Sequence, residues 1–258
     1  MAAGEGHAPD WRDAAAYEPL LEADRSLFAW EWLRRNPDYR CAAEQALASS
    51  SRDPAGAGDR PEQWGLHAFE PPSAAVPRAR PVWRAAVHPY VLGIEAGPPD
   101  GDDLFDLGRL GAISTLITAP DGREHLLLSD GIRAIRIDVL SGTIAAGPAR
   151  LRYRLAGLSA AEAPVLTLRR LLALWRTGRF GRSLHPEDAR ARRGVLMLRA
   201  YDAVAAGANQ RAIAAELLGG RAARERWRVE APSLRSRAQR LVRGARRLAQ
   251  AGFRDLLR

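Results

Sequence analysis

The chain has 258 residues, of which 47% are hydrophobic, a content that excludes wholesale disorder and is sufficient for one large or two ordinary domains. Its net charge of +9 is divided unevenly, because residues 150–258 carry 25 arginines against 8 acidic residues and residues 1–149 carry 14 against 22. One cysteine excludes an internal disulfide and a zinc site built on paired thiolates, and the lack of a long apolar run or a signal-peptide pattern predicts a cytoplasmic protein with no membrane contact.

The first predicted unit, residues 1–48, is helical and rich in aromatic side chains. Asp24 or Ser26 can cap a helix that ends before Pro37, and a second short helix is expected over residues 38–48. Two helices of this size cannot bury all their rings alone, so we expect them to pack on the rest of the chain or on a partner. The candidate partner-binding residues are Trp11, Trp30 and Trp32, and burial in the core is the alternative.

A change in composition separates this unit from the next predicted one. Residues 49–85 contain six prolines, which predicts either a linker or an extended wrap over the surface. Residues 86–157 contain short apolar runs with turn-sized gaps, and Asp121 and Gly122 form a hairpin signal. The pattern predicts a small antiparallel β-sheet.

One strand of this sheet is expected to have a basic outer face. Arg150, Arg152 and Arg154 alternate with apolar residues in a period of two. Since side chains alternate between the two faces of a strand, this pattern predicts a half-buried strand.

From residue 158 to residue 258 the pattern is helical. Asn209 can cap a short helix over residues 210–218, and a long helix is expected from Ser233 to about residue 251. A helix-turn-helix needs such a short helix packed across a second one, whose exposed face enters the major groove. The long helix has an apolar seam with spacings of four, three, four and three residues: Leu234, Ala238, Leu241, Ala245 and Leu248. The predicted fold class is therefore α+β: an N-terminal aromatic helical unit, a small antiparallel sheet and a C-terminal all-helical domain with a helix-turn-helix-like element.

The remaining surface of the long helix is dominated by arginine, which binds phosphate or pairs with guanine, while glutamine can pair with adenine. The candidate DNA-binding residues are Asn209, Gln210, Arg211, Arg224, Arg228, Ser233, Arg235, Ser236, Arg237, Gln239, Arg240, Arg243, Arg246 and Arg247. Arg246 and Arg247, far along the helix, are the candidates for phosphate contacts. The connection between Gly219 and Pro232 is longer than the usual turn, which leaves open whether residues 221–228 or the helix from Ser233 enters the groove.

Enzymatic function is not indicated by the motifs. The five histidines are dispersed along the chain, and no metal-ligand, phosphate-binding or nucleophile motif is present, so we expect no catalytic residues, no metal and no cofactor. The alternative to double-stranded DNA as the partner is a non-catalytic protein-interaction module, an antiactivator or adaptor whose basic half binds an acidic partner. An RNA-binding regulator is a third hypothesis, but aromatic residues suited to base stacking do not recur on the predicted strands.

The C-terminal half resembles the RovC-like transcription factors. The residues that carry this resemblance are the strand region from Leu110, the segment 210–219 (QRAIAAELLG), Trp227 and residues 240–257. Residues 10–17 (DWRDAAAY) and 24–35 (DRSLFAWEWLRR), with Tyr39, are similar to the small transcriptional-regulator-like domain of FseA-type excision activators. The resemblance implies a DNA-binding activator of mobile-element transfer or excision, or of type VI secretion genes, in a bacterial cytoplasm. It also implies a homo-oligomer and an antiactivator protein as candidate partners. The acidic, aromatic N-terminal half is a candidate surface for RNA polymerase.

Overall fold

The computed structural model describes residues 9–49, 60–219, 232–250 and 252–258. Helices and strands are both present in this part of the chain, so the predicted α+β class is confirmed. The helices are α1 (Pro19–Glu22), α2 (Arg25–Leu33), α3 (Pro37–Ser49), α4 (Glu162–Thr177), α5 (Ala191–Ala205), α6 (Gln210–Ala214) and α7 (Pro232–Gln250). The strands are β1 (Val91–Gly97), β2 (Ser114–Thr118), β3 (Glu124–Ser129), β4 (Ala134–Ser141) and β5 (Arg150–Arg154).

The five strands form one sheet in the order β2-β3-β4-β1-β5. Neighbouring pairs are antiparallel except β1 and β4, which run parallel, so the prediction of an antiparallel sheet was wrong for this pair. A parallel pair needs a crossover connection. Here the chain leaves β1, forms the β2–β3 hairpin, and returns to place β4 directly beside β1.

One face of the sheet is covered by α4. Leu171 and Leu174 of this helix are buried against Leu92, Ile94 and other apolar residues of the strands. Burial of this apolar surface stabilises the sheet, because each fully buried aliphatic side chain contributes about 1.5–3 kcal/mol.

The helices from the two ends of the chain share a second, larger core. Trp30 and Trp32 of α2, Leu198 of α5 and Ala245 of α7 belong to the same cluster of buried side chains. The described part of the proline-rich segment joins it, because Trp83 is 1% exposed and donates its indole N–H to the Ser26 carbonyl at 3.0 Å. Residues 60–85 therefore wrap over the helices rather than separate them, while the predicted division of the chain into four units stays a prediction.

Close packing of α2 on α5 depends on a glycine. A Cβ atom at Gly194 would lie 2.6 Å from the Cζ atom of Phe28, whose ring is buried. Replacing Gly194 by alanine is expected to lower the free energy of unfolding by about 1–3 kcal/mol, because the core at this point has no room for another carbon.

Gly244 on α7 provides the matched control, measured by urea unfolding. Among the described residues, a Cβ atom there would meet only the side chain of Met197, with the terminal methyl at 2.7 Å, and this flexible side chain can move aside. Gly244→Ala is expected to be neutral, or to stabilise the helix by up to about 1 kcal/mol. Equal destabilisation by both variants would contradict the packing argument.

Candidate nucleic-acid interface

Helix α7 is amphipathic, with one buried and one basic face. Leu241, Val242, Ala245 and Ala249 are buried in the shared helical core, and Ala238 is buried as well. The predicted apolar seam is confirmed in position, although Leu234 and Leu248 at its ends are only partly buried and Val242 and Ala249 extend it. The other face is therefore the one that the fold presents to solvent.

Six arginines and one glutamine of the predicted set lie exposed on this helix: Arg235, Arg237, Gln239, Arg240, Arg243, Arg246 and Arg247. Ser236 is partly exposed. Ser236, Arg240, Arg243 and Arg247 follow each other at spacings of four, three and four residues, so they lie on one face, opposite the buried seam. We define these four residues as the central row of α7.

Five arginines of α7 form no ion pair with a carboxylate among the residues that the structure describes: Arg237, Arg240, Arg243, Arg246 and Arg247. By contrast, Arg34 and Arg136 are buried and paired with Glu31 and Asp138 at 2.8 and 2.7 Å. Solvent-facing arginines of this kind can neutralise phosphates and release the counterions that surround a nucleic acid.

The C-terminal end of α7 is fixed by the N-terminal helices. The side-chain amide of Asn36 donates to the carbonyl of Ala249 at 3.1 Å and contacts that of Gln250 at 3.4 Å. The last carbonyls of a helix have no hydrogen-bond partners inside the helix. The Asn36 amide supplies a hydrogen bond to these carbonyls of α7. Residues of the N-terminal unit thereby set the position of the basic helix.

Helix α6 packs against α7 and is held by its predicted cap. The Oδ1 atom of Asn209 accepts the backbone N–H of Ala212 at 2.9 Å, which confirms this cap. The helix is shorter than expected, because regular α-helix ends at Ala214 and a π-helical turn follows over Ala215–Gly219. Ile213 is fully buried at the contact with α7.

A short turn also joins α5 to α6. Four residues separate the two helices, and Gly207 among them has a φ of 77°, a conformation that favours glycine. A three- or four-residue turn with glycine is typical of helix-turn-helix elements. The arrangement places α5, α6 and α7 together as three packed helices.

The other predicted DNA-binding residues are distributed as follows. Asn209, Gln210 and Arg211 are exposed at the start of α6. Arg224 and Arg228 lie outside the described residues, as does the side chain of Ser233, so the alternative reading segment at residues 221–228 stays a prediction.

The predicted partner-binding tryptophans are buried, which corrects the expectation that they form a partner surface. Trp30 and Trp32 are 0% exposed and Trp11 is 3% exposed. The indole N–H of Trp30 donates to the Ala74 carbonyl at 2.7 Å. The ring of Trp32 packs edge-on against the ring of Tyr201, with 6.1 Å between the ring centroids. Core packing, the alternative, is confirmed because α5 and the segment after residue 60 supply the apolar surface that the small helical unit lacks.

A buried ionic network joins the N-terminal helices to α5. Asp202 accepts hydrogen bonds from Arg35 Nε and Nη2, both at 2.8 Å, and from the Tyr17 hydroxyl at 2.7 Å. Arg35 also donates to Glu31 at 2.5 Å. Burial opposes the ionisation of Glu31, but Arg35 and Arg34 outweigh it and hold the pKa of this carboxyl below its ordinary value. These hydrogen bonds connect the helices from the N-terminal part of the chain to α5.

The sheet carries a second basic surface at its β5 edge. Arg150, Arg152 and Arg154 are exposed, as predicted for the outer face of this strand. Arg154 lies 3.5 Å from Glu95 and Arg150 lies 3.7 Å from Asp100. Tyr153 on the opposite face is 40% exposed, so the strand is buried less than its alternating pattern predicts.

Two of the dispersed histidines meet in the fold, which the sequence analysis missed. The rings of His67 and His125 stack with their centroids 3.5 Å apart, and His125 contacts Asp138 at 2.7 Å. Their separation of more than 50 residues left no spacing signal, since only the pairing of β3 with β4 and the path of the proline-rich segment bring them together.

Two family models match the chain. Residues 154–258 match the RovC DNA-binding domain, described as "T6SS, Transcription factor, DNA binding domain", and residues 10–67 match the "Proteobacterial transcriptional regulator-like domain". Helices α4 to α7 fall in the first match and α1 to α3 in the second. The two matches confirm the resemblance to RovC-like factors and to a transcriptional-regulator-like domain, while the likeness to FseA-type activators stays a prediction. No curated protein matches the chain significantly. No helix among the described residues is both long and apolar enough to cross a membrane.

Proposed function

We propose that the chain binds specific DNA sequences without a catalytic step, and that it activates genes of mobile-element transfer or excision, or of secretion. The matches to a transcription-factor DNA-binding domain and to a regulator-like domain support a DNA-binding transcriptional regulator. The observation that carries this proposal is the row of exposed arginines on α7. This helix is held at its C-terminal end by Asn36 of the N-terminal unit and lies inside the DNA-binding match.

The reading surface is proposed to be the central row of α7. An α-helix fits the major groove, where arginine pairs with guanine through two hydrogen bonds. Arg240 and Arg243 lie opposite the buried seam and would therefore reach base edges when α7 lies in the groove. Arg237 and Arg246 flank this row and would contact the phosphates on the two sides of the groove. Such contacts fix the position of the protein along the DNA but do not read the base sequence.

In this proposal, α5, α6 and α7 act as a helix-turn-helix variant. Helix α6 packs against α7, and Ile213 of α6 is buried. Gln210 and Arg211 at the exposed start of α6 are candidates for contacts with DNA phosphates. Half-sites in DNA often repeat, so a symmetric homo-oligomer is the proposed assembly, with RNA polymerase and an antiactivator as further partners.

Genome-wide mapping of bound DNA tests this function. We expect discrete sites that share one sequence motif and lie upstream of genes whose transcription rises when the protein is present. A specific regulator binds its sites about 10³–10⁷ times more tightly than other DNA, which is enough for such sites to stand out. Uniform recovery of genomic DNA, or none, would contradict sequence-specific binding, and lowered transcription at the sites would contradict activation.

A further inference from the structure

Three potential metal-ligating side chains converge between the sheet and the segment that wraps over it. His67 lies on this segment, His125 on β3, and Asp138 directly opposite His125 on β4. One ligand atom from each of the three lies within 4.8 Å of the others. Because the three side chains come from three separate elements, the cluster does not depend on one flexible loop.

The cluster has unused capacity for a ligand. The Nε2 atom of His67 is buried and has no hydrogen-bond partner in the described part of the chain. Asp138 receives both of its contacts, from His125 and from Arg136, on Oδ1, and its Oδ2 atom has no partner among the described residues. The buried Nε2 atom of His67 is costly without a partner, and a bound ion would remove that cost.

The nearby guanidinium of Arg136 is held by other groups. Its Nε donates to the Trp83 carbonyl at 2.9 Å, and its Nη1 donates to the carbonyls of Leu126 and Ile137 at 2.7 and 2.9 Å. Arg136 therefore fixes the Asp138 carboxylate from one side, through the 2.7 Å contact with Oδ1, and leaves the other oxygen available.

We propose that His67, His125 and Asp138 bind one divalent transition-metal ion of the zinc class. Imidazole and carboxylate are ordinary zinc ligands at about 2.0–2.2 Å, and three protein ligands leave one position for water. Calcium and magnesium prefer all-oxygen ligands, so they do not fit two imidazoles.

Binding requires a small rearrangement of the two rings. They now stack with an angle of 23° between their planes, and an imidazole lone pair lies in the plane of its ring. The rings must therefore turn toward the ion from either side. The ion would then fasten the segment that contains Leu66 and Trp83, both buried, to strands β3 and β4.

Zinc titration of the chelator-treated full chain tests this site, with a chromophoric chelator as competitor and circular dichroism to verify folding. We expect one zinc ion per chain, a higher Tm with zinc, and an absorption band of tetrahedral cobalt when Co²⁺ replaces it. His67→Gln and His125→Gln should weaken binding by more than the roughly 10–100-fold that loss of an outer-shell partner costs.

His88→Gln is the matched control, because His88 is also buried but its Nδ1 atom already contacts the Leu257 carbonyl at 3.2 Å, outside the cluster. This variant should keep the wild-type zinc affinity. Asp138→Asn, which removes the charge and keeps the shape, should weaken binding as well. No binding by the wild-type chain, or binding that survives both His67→Gln and His125→Gln, would overturn the proposal.

Discussion

Replacing Asp202 by asparagine is expected to lower the free energy of unfolding by about 3–5 kcal/mol, because removal of one partner leaves a buried charge uncompensated. Asp202 is 4% exposed and accepts three hydrogen bonds, two from Arg35 and one from Tyr17. Asparagine has nearly the same volume, so the loss reports the charge and not a cavity. Urea unfolding measures it.

Asp188→Asn is the control for this prediction. Asp188 contacts Arg25 at 3.0 Å, but the side chains of the pair are 23% and 46% exposed. Exposed pairs contribute about 0–1 kcal/mol, so this variant should unfold at nearly the same urea concentration as the wild type. Similar losses in both variants would show that the Asp202 network does not hold the two ends of the chain together.

The buried ionic network is also connected to helix α7. Arg35 and Asn36 are neighbours in the chain: the first pairs with Asp202 on α5, and the second holds the last carbonyls of α7. Weakening the network is therefore expected to loosen the support of α7 as well as to lower stability.

Local sequence patterns predicted the parts of the site that depend on local structure. The seam around Ala238 and Ala245 follows from helical periodicity, and the cap at Asn209 follows from side-chain chemistry within four residues. Both are decided by neighbours on the same helix, so no knowledge of the tertiary fold was needed.

Features set by distant contacts could not be predicted in this way. The parallel pairing of β1 with β4 depends on where the β2–β3 hairpin lies, and periodicity is the same for parallel and antiparallel strands. The burial of Trp30 depends on Ala74 and α5, which are far away in sequence. The contact of His67 with His125 has the same origin, because it needs the wrapping segment and the sheet together.

The double substitution Arg240→Ala, Arg243→Ala is expected to have the largest effect on DNA binding. A bidentate arginine contact with a base contributes about 1–3 kcal/mol, so loss of two should weaken specific binding by at least about 30-fold. Both side chains are exposed on α7 and point away from its buried seam, so the fold should be unchanged. Fluorescence anisotropy with a duplex recovered from the genome-wide mapping measures the affinity.

Arg169→Ala, Arg176→Ala is the matched control, because both residues are exposed on α4 and the change in net charge is the same. The control variant should lose only the general attraction between a basic protein and DNA, which is the same for every sequence.

The salt dependence of duplex binding, compared between the wild type and the Arg240→Ala, Arg243→Ala variant, tests the central claim most directly. Each phosphate contact contributes a slope of about −0.9 in log affinity against log salt concentration. We predict a steep slope for the wild type and a nearly unchanged slope for the variant, together with a large loss of affinity for the specific duplex and a small loss for unrelated DNA. Equal affinity of the two proteins for the specific duplex, or wild-type binding to heparin as tight as to that duplex at physiological salt, would contradict sequence reading by α7.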